Sequence, residues 1–363
     1  MSNLKEIHMK DINKFPKDDL INKINIISGP CSLESEEQGM DTAKRLSKIG
    51  IKLFRAGVWK PRTYPGGFEG IGPEGLPWLL KIKEKYGMKI AIEVATPAQC
   101  AEAKYIVDIF WIGARTTGDV FAVQSLADWF AKQSEEFKKT HWIFIKNPLS
   151  PDLQLWLGAV QRFYNAGYRN IAVIHRGFTV LEKTIYRNDP QWEVPISLRE
   201  QYPNISIFCD PSHITGDSSL ISSVSQQALD LGFDGLMIES HCCPEHAMTD
   251  AKQQITPETL EYILDHLIVR DNHDSLENIK VLRNQIDVLD DDLMKLLSKR
   301  FKIVREIGKY KKENNIPIVQ SSRFDEINQI RAEQAHKIDV DPAFVRKLFA
   351  TLQHEAIKQQ LMM

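Results

Sequence analysis

The residues from Phe54 to Thr63 combine a strand-like beginning with a cluster of cationic side chains. Arg55, Lys60 and Arg62 lie within eight residues of one another, and no acidic residue separates them. An arginine presents a planar fork to phosphate or carboxylate, a lysine a compact charge, and a threonine a hydroxyl. A single basic turn is often only a solvated surface feature, so the other strand ends must decide whether this cluster binds an anion.

The other strand ends belong to a regular alternation of strand-like and helical segments. Eight apolar, β-rich runs recur, at residues 24–28, 51–54, 89–94, 109–112, 142–145, 171–174, 205–208 and 235–238. Helical patterning fills the segments between them, which predicts an α/β fold, a (β/α)₈ TIM barrel. A doubly wound open sheet is the alternative, and it is disfavoured because no G-x-G-x-x-G follows the first strand.

In such a barrel the reacting groups lie where the strands end, at the C-terminal face. Four of these ends together carry five lysine or arginine side chains: Arg55, Lys60, Arg115, Lys146 and Arg176. Because like charges repel unless an anion lies between them, the set predicts an anionic ligand. We expect that ligand to carry a phosphate and a carboxylate.

A second group of residues at the strand ends offers sulfur, nitrogen and oxygen donors. Its members are Cys31, His213, Glu239 and Asp250. This mixed donor set suits a divalent metal ion. Each residue also has an ordinary structural alternative, namely a buried thiol, a capped turn or a helix cap.

Composition limits the classes of partner. The 363 residues carry a formal net charge of −2, so no overall basic field indicates nucleic acid. The five cysteines are odd in number and form no C-x-x-C pair, which fits a reducing compartment. Residues 1–23 lack the apolar core of a signal peptide, and no apolar run approaches the roughly 20 residues of a membrane span. We therefore expect a cytoplasmic protein with small-molecule ligands and without nucleic-acid or membrane partners.

The C-terminal quarter has a different pattern. After a lead-in (1–23) and the barrel (24–269), a polar linker at 270–275 precedes a helical domain at 276–363. Seven apolar residues step along its first helix in a heptad seam: Leu282, Ile286, Leu289, Leu293, Leu296, Ile303 and Ile307. At about 1.5 Å per residue this helix would exceed about 50 Å, too long for one small domain to cover. Further helices are predicted at 323–337 and 342–361, so we expect an all-α three-helix domain that forms an intertwined homodimer.

The barrel motifs carry a family resemblance. G-P-C-S-x-E (29–34), A-G-V-W-K-P-R-T (56–63), G-A-R (113–115), H-R-G (175–177) and D-P-S-H (210–213) together resemble 3-deoxy-D-arabino-heptulosonate 7-phosphate (DAHP) synthase of the type I-beta subclass. The resemblance covers about residues 20–268. It implies that a divalent metal ion, expected to be Mn²⁺, is held by Cys31, His213, Glu239 and Asp250.

The same resemblance assigns the substrates. Phosphoenolpyruvate would contact Arg55, Lys60, Glu93, Ala114, Arg115, Lys146 and Arg176, with Lys60 also catalytic. Erythrose 4-phosphate would contact Pro61, Arg62 and Thr63. The sibling 3-deoxy-octulosonate 8-phosphate synthase shares the first set but resembles K-A-N-R where this chain has K-P-R-T. We therefore favour the DAHP synthase interpretation.

Phosphoenolpyruvate is a weak carbon nucleophile, so its aldehyde partner must be polarised by a Lewis acid. A Schiff base on Lys146 is the rival mechanism, and it would leave the metal-ligand set without a role. A non-enzymatic barrel would leave the converging cations without a role as well.

The helical domain resembles the all-helical chorismate mutase over roughly residues 276–361, through Arg283, Asp290, Arg300, Gly308-Lys309-x-Lys311, Arg323 and Gln360. Arg300 lies within the apolar seam, where a charge is unfavourable unless an anion pairs with it. The resemblance implies that chorismate or prephenate contacts Arg300, Lys311, Arg323 and Gln360 of one subunit and Arg283 of the other. Arg300, Lys311 and Gln360 would be catalytic.

Three positions depart from the mutase pattern. Phe324 replaces an acidic residue, Ala356 a serine, and Gln320 a common aspartate. These departures keep open a non-catalytic dimerisation or regulatory module. The main expectation is a bifunctional shikimate-pathway enzyme in which prephenate, bound near Arg300 and Arg323, favours a docked state with lower synthase activity.

Overall fold

A computed structural model describes residues 9, 11–17, 20–21, 23–60, 66–181, 184–270, 277–319 and 321–362. The predicted residues Pro61, Arg62, Thr63 and Gln320 lie outside this set, as do the side chains of Arg323 and Phe324. The chain divides into two compact units, Met1–Arg270 and Asp271–Met363, which are described separately below.

The first unit is built on a closed sheet. Its described strands are β1 (Leu20–Ile21), β2 (Ile24–Gly29), β3 (Leu53–Arg55), β4 (Lys89–Val94), β5 (Ile109–Ile112), β6 (Trp142–Lys146), β7 (Ile171–His175), β8 (Ser206–Cys209) and β9 (Gly235–Glu239). β2 to β9 follow one another in parallel, and β9 returns to pair with β2, with Ile27 opposite Met237. The predicted eight-stranded barrel is confirmed, and the open sheet is wrong. β1 forms a short antiparallel hairpin with β2.

Helices cover the outside of the barrel. They are α1 (Glu36–Lys48), α2 (Leu76–Tyr86), α3 (Pro97–Ala103), α4 (Ala114–Thr117), α5 (Val120–Ala131), α6 (Glu135–Thr140), α7 (Leu153–Asn165), α8 (Glu193–Gln201), α9 (Pro211–Thr215), α10 (Ile221–Asp230) and α11 (Pro257–His266). Side-chain caps fix several of their first residues: Ser35 accepts a hydrogen bond from the Gln38 amide, and Asp152 from the Leu155 amide.

The barrel interior is a packed core of side chains. Ile27, Trp111 and Phe144 project into it from β2, β5 and β6, and all three are fully buried. Phe15, from the segment before β1, meets the Phe144 and Phe208 rings edge-on at centroid distances of 5.3 Å. Phe15, from the lead-in, thus completes this core.

Three helices are described in the second unit: α12 (Glu277–Glu313), α13 (Ser321–Lys337) and α14 (Pro342–Leu361). The predicted single long helix is α12, with 37 residues. Its apolar seam is exposed within one chain: Leu282 is 58% exposed, Leu289 67% and Leu296 62%. An uncovered apolar face of this length calls for a partner surface. Across the described residues, every helix is too short or too polar to span a bilayer.

Candidate active sites

The C-terminal ends of the barrel strands surround a cavity of about 490 Å³. Eight of the residues predicted from the sequence line it: Lys60, Glu93, Ala114, Arg115, Lys146, Arg176, His213 and Asp250. Most of these residues stand at or just beyond the end of a strand, because consecutive parallel strands deliver their last side chains to the same rim. Residues spread over nearly two hundred positions of the chain therefore meet in one cavity.

The predicted metal ligands lie close together beside this cavity. One donor atom each of Cys31, Glu239 and Asp250 falls within 4.8 Å of the others, and Cys31 Sγ lies 3.3 Å from Asp250 Oδ2. The His213 Nε2 atom is 3.8 Å from Glu239 Oε1. Cys31, Glu239 and Asp250 offer one sulfur and two carboxylates, a donor set that suits a divalent metal ion, and His213 approaches this set beside Glu239.

Neighbouring groups orient these donors. Asp210 Oδ1 lies 3.0 Å from His213 Nδ1, which leaves Nε2 facing Glu239. Gln253 donates from Nε2 to Glu239 Oε2 at 2.7 Å. Hydrogen bonds of this kind fix the orientation of side chains that bind metal ions.

The environment of Cys31 disfavours a thiolate. Burial raises the pKa of its thiol to about 12, and the carboxylate of Glu239 acts in the same direction. Lys60 lies against it, with Nζ 3.1 Å from Cys31 Sγ. Burial opposes a charge on Lys60, but the acidic groups around it, Cys31 and Glu93 first among them, raise its pKa overall.

Arg55 is a buried member of the five cationic residues predicted at the strand ends. Its side chain is 1% exposed, and one terminal nitrogen donates to Glu239 Oε1 at 3.0 Å. Its guanidinium carbon lies 5.0 Å from the centre of the Trp111 ring. Arg55 Nε and the other terminal nitrogen have no hydrogen-bond partner among the described residues. Buried donors of this type are costly unless a ligand accepts from them.

Polar side chains also hold Lys146 and Arg176 in place. Lys146 Nζ lies 2.6 Å from Asp210 Oδ2. Arg176 donates to Asn188 Oδ1 at 2.7 Å, and burial lowers its pKa to about 10. Arg176 remains cationic near neutral pH, so it contributes positive charge to the cavity.

Glu93 requires a glycine beside it. Trp111 Nε1 donates to Glu93 Oε2 at 3.0 Å. A Cβ atom at Gly113 would lie only 2.0 Å from Glu93 Oε1. The glycine of the G-A-R motif therefore makes room for a carboxylate that faces the cavity.

Two site residues were missed by sequence reasoning. Asp210 joins Lys146 to His213, and the charges of these two residues hold its pKa well below the usual range although burial opposes ionisation. Asp210 follows β8 directly, and this position at a strand end could have identified it from the sequence. Arg187 lies on the long connection between β7 and α8, where its terminal nitrogen is 3.0 Å from Asp250 Oδ1. No strand end marks Arg187, so only the fold identifies it.

The helical unit contains a smaller cavity of about 370 Å³. Three predicted residues line it, namely Arg300, Lys311 and Gln360, together with Ala356. Arg300 donates to the Leu352 carbonyl at 3.3 Å, and Lys311 to the Ile318 carbonyl at 2.7 Å. Arg283 precedes Arg300 by 17 positions on α12, a separation of about 25 Å along a helix. Arg283 is therefore too far along the same helix to share this cavity.

Comparisons with known proteins match both units of the chain to known families. The DAHP synthetase I family matches residues 18–273, and chorismate mutase type II matches residues 282–361. The phospho-2-dehydro-3-deoxyheptonate aldolase of Thermotoga maritima is 31% identical over 242 residues, which cover 67% of this chain and 68% of that protein. A 2-dehydro-3-deoxyphosphooctonate aldolase of Nitrobacter winogradskyi is 26% identical over 271 residues, 68% of this chain and 88% of that one.

A solved structure supports the same assignment. The crystal structure of the Thermotoga maritima phospho-2-dehydro-3-deoxyheptonate aldolase (DAHP synthase) superposes with a TM-score of 0.60 at 28% identity, covering 67% of each chain. With the family match to the barrel and the separate match to the helices, the chain belongs to the DAHP synthetase I family and carries a chorismate mutase type II domain at its C-terminal end.

Proposed function

We propose that the barrel condenses phosphoenolpyruvate with erythrose 4-phosphate to give DAHP and phosphate, and that the helices rearrange chorismate to prephenate. The observation that carries the first part is the cavity at the strand ends, where five lysine and arginine side chains lie beside the candidate metal ligands. In this proposal residues 24–269 are the synthase and 276–363 the mutase, and both work in the cytoplasm.

Phosphoenolpyruvate is expected to fill the cationic part of the cavity. Lys60, Arg115, Lys146 and Arg176 line that cavity and can neutralise its phosphate and carboxylate. Arg55 Nε and one of its terminal nitrogens have no partner among the described residues, so they can donate further hydrogen bonds to the same ligand. Fixed cations hold the enol carbon in one orientation, which lowers the entropic part of the barrier. Ala114, at the start of α4, can add its backbone N–H.

Cys31, His213, Glu239 and Asp250 would hold the divalent ion, for which we propose Mn²⁺. When bound, such an ion supplies Lewis-acid polarisation of an aldehyde oxygen. Lys60 lies against Cys31, so its ammonium can donate a proton or a hydrogen bond to an oxygen of the aldehyde substrate at the same place.

The contacts of Lys146 argue against a Schiff-base mechanism. A Schiff base needs a neutral amine, whereas Lys146 lies 2.6 Å from the buried carboxylate of Asp210. This contact holds the Lys146 nitrogen against Asp210 and does not leave it free to attack a carbonyl. We therefore assign Lys146 to anion binding.

The choice of aldehyde is the decisive test of the barrel assignment. We propose that Pro61, Arg62 and Thr63 contact erythrose 4-phosphate, on the strength of the K-P-R-T motif. Loss of phosphoenolpyruvate absorbance should be at least about a hundredfold faster, in kcat/KM, with erythrose 4-phosphate than with arabinose 5-phosphate, since a site that pairs a substrate's polar groups rejects a misfitting analogue strongly. The reverse preference would make the barrel a 3-deoxy-octulosonate 8-phosphate synthase.

The helical unit supports mutase chemistry in a dimer. We propose that the substrate cavity of each subunit is formed by Arg300, Lys311, Arg323 and Gln360, and that Arg283 enters it from the second subunit. The exposed apolar face of α12 would supply that subunit interface. Chorismate is a dicarboxylate, and its rearrangement needs only a cationic cage with donors near the ether oxygen. The alternative is a dimerisation or regulatory module without turnover.

We further propose that prephenate bound in the helical unit lowers synthase activity. A coupling of roughly 1–3 kcal/mol is typical of such links, so prephenate should change the synthase rate several-fold or more in the full chain. The barrel expressed as residues 1–270 should not respond to prephenate. The measurement is synthase rate against prephenate concentration for both forms, and equal inhibition of the two would place the effector site in the barrel.

A further inference from the structure

Gln353, on α14, is a buried polar residue that the assigned chemistry does not use. It is 6% exposed, and it lines the helical cavity beside Arg300, Lys311 and Gln360. Neither its amide oxygen nor its amide nitrogen has a hydrogen-bond partner among the described residues. Burying an amide without a partner is unfavourable. Its side chain is therefore not explained by contacts within the described part of the protein.

Its position on the helix relates it to the neighbouring site residues. Gln353, Ala356 and Gln360 are three and four residues apart, so they follow one another along the same face of α14. All three line the cavity. Ala356 is the position at which the mutase resemblance expects a serine, and alanine offers no hydrogen bond there. The amide of Gln353 is thus one helical turn from the place where a polar group is missing.

We propose that the Gln353 amide binds the dicarboxylate substrate of the helical unit and takes over the role of the hydroxyl missing at Ala356. This inference depends on the proposed mutase function. An amide NH₂ donates two hydrogen bonds to the carboxylate or hydroxyl of such a substrate, while its carbonyl accepts one from a substrate hydroxyl. The cations of the cavity fix the overall position of a dianion, and a neutral directional donor adds a preference for one orientation.

The chemistry of an unpartnered buried amide makes a distinctive prediction. If Gln353 serves the substrate, an apolar side chain of similar shape should leave the ligand-free unit as stable or make it more stable, because an unsatisfied group disappears. The same change should weaken substrate binding. A residue that only stabilises the fold would give the opposite pattern, with a lower Tm and unchanged kinetic constants.

The test uses the full-length chain with Gln353→Leu and Gln353→Met, assayed for mutase kcat and KM, for chorismate binding by calorimetry, and for Tm. We expect kcat/KM to fall about tenfold to a hundredfold, as for a lost hydrogen bond to a charged group, with Tm unchanged or raised and synthase activity unchanged. Gln353→Leu with Ala356→Ser should recover part of the loss. Gln334→Leu, at an exposed glutamine on α13, is the matched control and should keep the wild-type constants.

The outcomes separate this inference from the function on which it depends. If the wild-type chain neither binds chorismate nor turns it over, the mutase proposal fails first. If the wild type is active and both Gln353 variants keep its kcat and KM, the role of Gln353 is wrong and the mutase remains. A lowered Tm in both variants with unchanged binding would also overturn it, because Gln353 would then be a structural residue.

Discussion

Cys31→Ala is expected to abolish the condensation reaction while the barrel stays folded. The Cys31 sulfur lies within 4.8 Å of one carboxylate oxygen each of Glu239 and Asp250. It is the only sulfur among the proposed ligands. Changes to residues that merely support metal ligands lower affinity about 10–100-fold. We therefore expect the loss of a direct ligand to lower Mn²⁺ affinity by about a hundredfold or more, with a corresponding loss of turnover at limiting metal.

The measurement combines calorimetric titration with Mn²⁺, circular dichroism and the loss of phosphoenolpyruvate. Cys242→Ala is the matched control, because this half-buried thiol lies outside the donor set and its removal should change neither affinity nor rate. Chelation of the wild type should stop the reaction, and added Mn²⁺ should restore it. Full activity in metal-free protein would contradict the metal assignment and return Lys146 to consideration as a nucleophile.

The barrel and much of its site were predictable because two simple rules coincide. Continuous apolar runs such as 143–145 predict strands buried on both faces, and the first polar residue after each run must then stand at the rim. Lys146 and Glu239 were both identified in this way. Strand boundaries differ from the prediction by no more than two residues, the largest difference being at β3, which begins at Leu53.

Other features depend on contacts between distant residues and had no local signal. Phe15 belongs to a segment without strand or helix pattern, yet it fills the end of the barrel against Phe144 and Phe208. Arg187 reaches Asp250 from the middle of a long connection. The Gln353 amide, which has no hydrogen-bond partner among the described residues, is recognisable only when its surroundings are known, because a glutamine on a helix is ordinarily exposed.

Arg300→Ala is expected to remove most mutase activity without weakening the helices. Arg300 lines the cavity of the helical unit, and burial lowers its pKa. Its side chain donates to the Leu352 carbonyl at 3.3 Å, a long contact that leaves other guanidinium donors available for a substrate carboxylate. Removal of one positioned donor typically lowers kcat about 10²–10³-fold, and loss of its charge adds to this effect.

The measurement is chorismate turnover in the full-length chain, with the synthase rate and Tm followed in parallel. The synthase rate should not change, and Tm should stay or rise because a charge leaves an apolar seam. Arg305→Ala is the matched control, since Arg305 lies on the same helix but pairs with Gln359 and is absent from the cavity lining described above. Arg300→Lys should recover only part of the activity, because a lysine keeps the charge without the planar fork. Unchanged turnover in Arg300→Ala would contradict the assignment of Arg300 to the active site and would withdraw the residue roles taken from the mutase resemblance.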